Sequence, residues 1–378
     1  MEKEIRPKAH FTAKKGWIND PNGPVFYNGE YHLFFQHDPD SLVWDCMHWG
    51  HAVSKDLINW EQLPIALYPD EQGVIYSGSA LVDHENITGF GMKDLPALLV
   101  FYTSHDEQTK REMQCLAYST DGVNFTKYDK NPIIGGKENT SARDPRVFKN
   151  AVLGEYSLCL TVERAVEFYH STDLISWTKT GEFTLPSYAM HGMIECPCMI
   201  SDKVSGKNVL MLSMDIEESE ATKFPKGVPF HKRLMQYFVG SFDGNVFIAD
   251  KEQNEALLVD NGPDFYAGTV FSNMNDNILI AWLGNFSENA ISVPTEKEGF
   301  KGILSYPRKL TLKMTENGYR LRHEFFPKPD PGYGIIYRKS EDEEMIFDGC
   351  VSEKITLDGT YADTRITLFE HKYISDRE

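Results

Sequence analysis

Four segments of the chain repeat one local pattern: Ser54-Lys-Asp-Leu-Ile-Asn-Trp60, Ser119-Thr-Asp-Gly-Val-Asn-Phe125, Ser171-Thr-Asp-Leu-Ile-Ser-Trp177 and Ser241-Phe-Asp-Gly-Asn-Val-Phe247. Each reads Ser-x-Asp, then Leu or Gly, two further residues and an aromatic. Short Ser and Asp side chains bond nearby backbone N–H groups, so each segment predicts a tight turn with the aromatic opening the next strand. The copies start 65, 52 and 70 residues apart. A period that long holds several strands, and small sheets repeated around an axis make a β-propeller. One such corner arises easily by chance. Four in register do not.

The runs between these turns are short, β-branched or aromatic, and bounded by Gly, Pro, Asn and Asp, as in Ala97-Leu-Leu-Val-Phe-Tyr and Ile278-Leu-Ile-Ala-Trp. Few windows carry the i, i+3, i+4 spacing of an amphipathic helix, so the predicted class is all-β. A second series interleaves with the first: Asn19-Asp20-Pro-Asn-Gly, Tyr76-Ser77-Gly-Ser, Arg143-Asp144-Pro-Arg, Glu195-Cys-Pro-Cys and Asp264-Phe-Tyr-Ala-Gly. Taken at Asp20, Ser77, Asp144, Glu195 and Asp264, the spacings are 57, 67, 51 and 69. Five repeats predict a five-bladed β-propeller, with these motifs near the start of each innermost strand. Inner strands line the central channel, so the motifs are expected to converge at one mouth as a carboxylate-rich pocket.

Charge and composition narrow the chemistry. Thirty-eight basic side chains against 56 acidic ones give a net charge of −18, which disfavours nucleic acid and anionic membrane surfaces as partners. No apolar stretch approaches the roughly 18–20 residues of a bilayer span. The first residues, Met-Glu-Lys-Glu-Ile-Arg-Pro, carry no apolar run behind their charges, so a cytoplasmic protein is expected. Sequons at Asn86, Asn124, Asn139 and Asn285 pull weakly the other way. Six cysteines show no zinc spacing and 12 histidines form no HExxH. P-loop, dinucleotide fingerprint and GxSxG elbow are all missing. Neither metal nor cofactor is expected.

Paired carboxylates point instead to glycoside hydrolysis, where one acts as acid and the other as nucleophile or base. Each motif also has a plainer reading. Asp20-Pro21 alone is a turn, and Arg143-Asp144 alone is a salt bridge. Glu195 lies between Ile194 and Cys196-Pro197; an apolar setting there would raise its pKa, as a general acid requires. Trp17, Trp44, Trp49 and Trp282 are candidates either for the core or for the walls of a carbohydrate site.

Trp17-Ile-Asn-Asp-Pro-Asn-Gly23 resembles the signature of glycoside hydrolase family 32, which holds invertases, sucrose-6-phosphate hydrolases, inulinases and levanases. The resemblance continues through Tyr31-His-Leu-Phe-Phe-Gln36, Trp49-Gly-His-Ala-Val-Ser, Tyr76-Ser-Gly-Ser79, Ala142-Arg-Asp-Pro-Arg-Val-Phe148, Glu195-Cys-Pro197, Asp264-Phe-Tyr-Ala267, Trp282 and Ser305-Tyr-Pro-Arg-Lys-Leu310. It implies a five-bladed propeller and retaining cleavage of sucrose, sucrose-6-phosphate or a short fructan. It also implies roles: Asp20 the nucleophile, Glu195 the general acid/base, and Asp144 with Arg143 the holder of the fructosyl hydroxyls. Trp17, Asn19, Gln36, Trp44, Tyr76, Ser77, Tyr266 and Trp282 are implied to bind substrate. Fructosyl transfer on the same fold and a non-catalytic carbohydrate-binding propeller are the alternatives.

Two departures from the family pattern stand out. Glu-Cys-Pro is usually followed by Asp, where this chain has Cys198. The family's propeller is usually followed by a β-sandwich, and the 52 residues after Phe326 are too few for one, so only a remnant is expected here. The expected division is therefore a propeller over residues 1–326 and a short C-terminal extension over 327–378, either sandwich remnant or disordered. An uncovered apolar flank would favour self-association. His231-Lys232-Arg233 could meet a substrate phosphate, although a short basic run is more often solvated surface.

Overall fold

The computed structural model describes residues 6, 7, 9–92, 95–284, 286 and 294–328. These lie almost wholly in the compact unit that ends at Pro327. Beyond residue 328, the expected C-terminal extension lies outside the described residues.

Five antiparallel sheets follow one another along the chain. Blade I contains β1 (Gly16–Tyr27), β2 (Glu30–Asp38), β3 (His48–Ser54) and β4 (Trp60–Leu67). Blade II contains β5 (Val74–Asp83), β6 (Ala97–Asp106), β7 (Arg111–Ser119) and β8 (Thr126–Lys127). Blade III contains β9 (Ala142–Asn150), β10 (Glu155–Val162), β11 (Ala165–Ser171) and β12 (Thr178–Thr184). Blade IV contains β13 (Gly192–Ser201), β14 (Asn208–Ile216), β15 (Arg233–Phe242) and β16 (Phe247–Ala249), with β17 (Leu257–Leu258) paired to β15. Blade V contains β18 (Phe265–Val270), β19 (Asn277–Leu283), β21 (Arg308–Thr315) and β22 (Gly318–Phe325), while β20 (Phe300–Lys301) crosses to pair with β1. The only helical segments among the described residues are short 3₁₀ turns at Glu218–Lys223 and Pro294–Glu298.

The inner strands close a ring: β1 packs against β5, β5 against β9, β9 against β13, β13 against β18, and β18 against β1. The chain is a five-bladed β-propeller. Blades I and V, the two ends of the ring, are stitched by backbone bonds. Gly16 N–H donates to Gly299 O (2.8 Å), Leu304 N–H to Phe11 O (2.9 Å) and Ser272 N–H to Pro24 O (2.9 Å).

The continuous apolar runs have a direct explanation. A middle strand is covered on both faces, and alternate residues feed different interfaces. On β6, Leu98, Val100 and Tyr102 pack toward blade I, whereas Leu99 and Phe101 pack toward blade III. Five apolar clusters result, one at each interface between neighbouring sheets.

The Ser-x-Asp segments form the expected turns between the third and fourth strands of blades I to IV. In blade I, Ser54 Oγ accepts from Leu57 N–H (2.8 Å), and Asp56 Oδ1 accepts from Ile58 N–H (2.9 Å) and Asn59 N–H (2.7 Å). Blades II and III reproduce this set; blade IV keeps only the Asp243 half. The residue after Asp has positive φ in every copy: Leu57 (67°), Gly122 (74°), Leu174 (63°) and Gly244 (99°). A left-handed residue is what the corner requires, which explains Gly in two copies. In the other two, the buried leucine carries strain that its packing offsets.

Blade I buries two touching histidines against blade II: His32 Nδ1 lies 3.0 Å from His51 Nε2, and Phe125 meets the His51 ring edge-on. Burial depresses His32 to about 4 and His51 well below its ordinary value. His37, also buried, is lowered for the same reason. Groups that stay neutral in the fold but protonate when unfolded withdraw stability as pH falls from about 6.5 toward 4. Two raised carboxyls, Asp20 and Asp144, act in the opposite sense over this range. Burial likewise lowers His323 on β22 to about 4. Four histidines outweigh two carboxyls, so the melting temperature should fall between pH 6.5 and 4.5 in a scanning calorimetry series. A flat or rising profile would contradict this assignment.

Candidate active site

Every inner strand carries an irregularity at its polar motif. Pairing is interrupted between Ile18 and Pro21 on β1, Tyr76 and Gly78 on β5, Glu195 and Cys198 on β13, and Tyr266 and Thr269 on β18. On β9 the break lies between Arg143 and Arg146, opposite Leu160. A β-bulge re-aims side chains that strict alternation would send to opposite faces, so neighbouring residues can both reach the channel mouth. Asp144 (φ 66°), Cys196 (φ 48°) and Ala267 (φ 52°) occupy the same left-handed bulge position in blades III to V. The predicted equivalence is thereby corrected. Glu195 matches Arg143 and Tyr266, one residue before the turn, and exposed Asp264 precedes its strand and lies outside the motif.

The bulges bring Asp20, Asp144 and Glu195 together around Cys196. Cys196 N–H donates to Asp144 Oδ2 (2.8 Å), and its thiol donates to Asp20 Oδ2 at 3.5 Å. Burial and the surrounding carboxylates push that thiol well above its ordinary pKa, so it remains a donor. Asp20 also accepts from Ser77 Oγ (2.7 Å) and Asn19 Nδ2 (2.9 Å). Asn19 is fixed in turn by Trp17 Nε1 (2.8 Å). Asn22, oriented with its amide nitrogen toward Ser77 Oγ (3.1 Å), accepts from Gln36 Nε2 (2.9 Å). That commits the single Ser77 proton to Asp20. Gln36, 2% exposed, thus supports the site from behind.

Glu195 is held from both sides: Arg143 Nη1 donates to Oε1 (3.1 Å) and Tyr266 Oη to Oε2 (2.8 Å). The apolar enclosure expected for this side chain is absent, because 19% of it remains exposed beside these polar partners. Arg143 is anchored by Glu112, which accepts from Nε (3.0 Å) and Nη2. Glu112 also bonds His105 (3.2 Å) and Ala142 N–H (2.8 Å). Burial opposes its ionisation, but His105, Arg143 and that N–H together hold it below the usual carboxylate range. No motif marks Glu112 or His105; each sits among other polar residues at a strand end, and pairing alone brings them to the site.

Burial raises the carboxyls of Asp144 and Asp20. Burial first, then the charge of Glu195, pushes Asp144 up to about 8 against the pull of Arg143. Burial also raises Asp20, with Ser77 opposing and Glu195 adding to the shift.

Aromatic residues stand on two sides of the site, Trp17 and Trp282 buried in the core between blades I and V and Phe286 and Trp44 exposed. Trp17 and Trp282 pack edge-on at 5.9 Å, and Phe286 stacks on Trp17 at 6.0 Å. Across the site, Tyr76 stacks on His105 at 4.6 Å and meets Trp44 at 5.8 Å. Trp44 is 41% exposed and forms the outer edge of this side. Phe286 carried no sequence signal. The basic run is tied down rather than free: Lys232 and Arg233 both pair with Asp215 (3.1 and 3.0 Å), and the Arg233 guanidinium lies over Phe286.

Residues 10–324 match the glycosyl hydrolases family 32 N-terminal domain. The levanase of Bacillus subtilis is 39% identical over 330 residues, covering 85% of this chain and 46% of that protein. The invertase of Schizosaccharomyces pombe is 37% identical over 326 residues, covering 82% and 53% respectively. The chain thus spans about half the length of these curated relatives. A fructofuranosidase from Schwanniomyces occidentalis, solved in complex with fructose, superposes with a TM-score of 0.74 at 30% identity, covering 85% of this chain and 63% of that one. With the match running through all five blades and every motif at the channel mouth, the chain belongs to glycosyl hydrolase family 32.

Proposed function

We propose that this chain cleaves β-fructofuranosides such as sucrose or levan with retention of configuration, through a covalent fructosyl intermediate on Asp20. The carrying observation is the convergence of Asp20, Asp144 and Glu195, from three different inner strands, on the single residue Cys196. Levanase and invertase activities in the relatives, and fructose bound in the similar fructofuranosidase, support this substrate class.

In this reading Asp20 Oδ1 or Oδ2 attacks the anomeric carbon of the fructosyl unit as the glycosidic C–O bond breaks. Glu195, protonated beforehand, gives its proton to the departing oxygen; as carboxylate it then takes one from the water that hydrolyses the ester. The negative charge of Asp20 favours the oxocarbenium-like transition state. Asp144, largely protonated near neutrality, can donate as well as accept hydrogen bonds to sugar hydroxyls. Arg143 and Tyr266 fix the Glu195 carboxyl, so its angle to the leaving group is set before substrate arrives.

Assay of free glucose and fructose from sucrose, with levan and sucrose-6-phosphate alongside, tests the proposal. Equal release means hydrolysis, excess glucose means transfer, and release of neither sugar from any substrate rejects the reading. Glu195→Gln should slow release of sugar leaving groups by about 10²–10⁴-fold. The same variant should lose far less on activated aryl fructosides, whose departure needs little protonation. Equal losses on both substrate types would remove Glu195 from the acid role.

A further inference from the structure

Beneath the carboxylates, the channel holds a second arginine that the mechanism above does not use. Arg146 lies on β9, two residues beyond Asp144 and past the bulge, and is 6% exposed. Its Nη1 donates to Thr269 Oγ1 at 3.4 Å, and its Nε has no partner. Among the described residues no carboxylate lies within ion-pair distance of it. Burying a cation without a paired anion costs several kcal/mol, so the fold retains it against a substantial penalty.

Its surroundings indicate what offsets that cost. Arg146 and Asp144 line one cavity of about 20 Å³, with Asn22, Ser77, Cys196 and Thr269 on its wall. That space holds about one water. Ser77 and Cys196 are the residues whose hydroxyl and thiol bond Asp20. Asp20 itself receives only neutral donors: Ser77, Asn19 and Cys196. The other cation of the site, Arg143, is committed to Glu112 and Glu195. Buried charges interact across such a cavity with little screening.

We propose that Arg146 is a positioning residue for the fructoside chemistry, supplying from the channel floor the positive field that Asp20 lacks among its direct partners. The titratable groups placed beside it are Asp144 from β9 and Cys196 from β13, which line the same cavity, with Cys198 reached through Thr269. Cys159 from β10 completes the set. Cys159 registers the same field, because burial raises its thiol pKa while Arg146 pulls it back. Cys198 Sγ lies 4.0 Å from Thr269 Oγ1, the hydroxyl that accepts from Arg146, and brings no negative charge to that side. With no carboxylate paired to it, the guanidinium shares its cavity with Asp144 and with Ser77 and Cys196, the two residues that bond Asp20.

The inference rests on the function proposed above, and its test separates the two. The full chain is labelled with ¹³Cγ-aspartate and titrated by NMR as parent, Arg146→Gln, Arg146→Met and Arg146→Lys; kcat/KM on sucrose is followed against pH in parallel. In the neutral variants, the buried aspartate titration and the acid limb of kcat/KM should both move up by about one pH unit, a tenfold loss of the ionised form on that limb. Arg146→Lys should leave both where the parent has them. A folded neutral variant with unmoved titration overturns the proposal, as does a lysine variant that shifts like the neutral ones. Chloride that moves the parent's acid limb but not that of Arg146→Gln also overturns it, because the cation would then be holding an exogenous anion. If the parent cleaves no fructoside, the functional reading fails, while the NMR titration still decides what Arg146 does to the aspartates.

Discussion

Asp20→Asn is expected to abolish fructose release, with kcat reduced by about 10⁴-fold or more, the scale seen when a nucleophile is removed from a preorganised site. An amide is nearly isosteric with the carboxylate but cannot attack the anomeric carbon. The side chain keeps its shape and part of its bonding: the Asn oxygen can accept from Ser77 Oγ, now 2.7 Å away, and from the Cys196 thiol, at the cost of the bond from Asn19 Nδ2, which would face the new amide nitrogen. Fructose should therefore still bind, and calorimetry with fructose should give an affinity close to the parent's. Activity within tenfold of the parent, with deamidation excluded by mass spectrometry, would remove Asp20 from the mechanism.

Asp144→Asn should separate stability from activity. Its carboxyl rises to about 8 in the fold from the ordinary aspartate value of 3.8, so the folded chain binds a proton that the unfolded chain releases. A raised carboxyl of this kind subtracts stability most fully above its folded pKa, and the penalty fades as pH falls toward the unfolded value. Replacing it with a neutral amide removes that penalty. Asn can still accept the Cys196 N–H bond through its oxygen. The gain should be on the order of a few kcal/mol at pH 8–9 and vanish near pH 4, read as a rise in melting temperature on the order of 5 °C or more at the alkaline end. Activity should fall at every pH. A variant less stable than the parent at pH 9 would show that the carboxyl is not the strained group this site makes it. In that background the acid destabilisation assigned to His32, His37, His51 and His323 should steepen, because one opposing contribution has gone.

The repeat was readable because its chemistry is local. Ser54, Asp56 and the residue after Asp form their corner within six residues, so the pattern survives in the sequence as written. Blade count and the convergence of Asp20, Ser77, Asp144 and Glu195 followed from spacing for the same reason. What spacing missed was register. The bulge offsets each inner strand by a residue, so Glu195 aligns with Arg143 and Tyr266, and Asp264 drops out of the series. Glu112 and His105 were invisible because their importance comes from pairing between β6 and β7, which delivers them behind Arg143. Gln36 and Trp44 were named together, yet one is buried behind Asp20 and the other is an exposed rim; their neighbours in sequence do not distinguish these fates.

Ring closure also orders events in time. Each blade is a nearly continuous stretch of chain and can pair its strands as it emerges, whereas the bonds between blades I and V join residues 248 and 294 positions apart. Loop-closure entropy places those contacts late in folding. The site straddles that joint: Trp17, Asn19 and Asp20 come from the first blade, Tyr266 and Trp282 from the last. A nascent chain halted after the fourth blade would carry all three carboxylates and still have no closed pocket. Synthesis of the final blade is thus the step at which the assembled carboxylates first acquire a complete binding site.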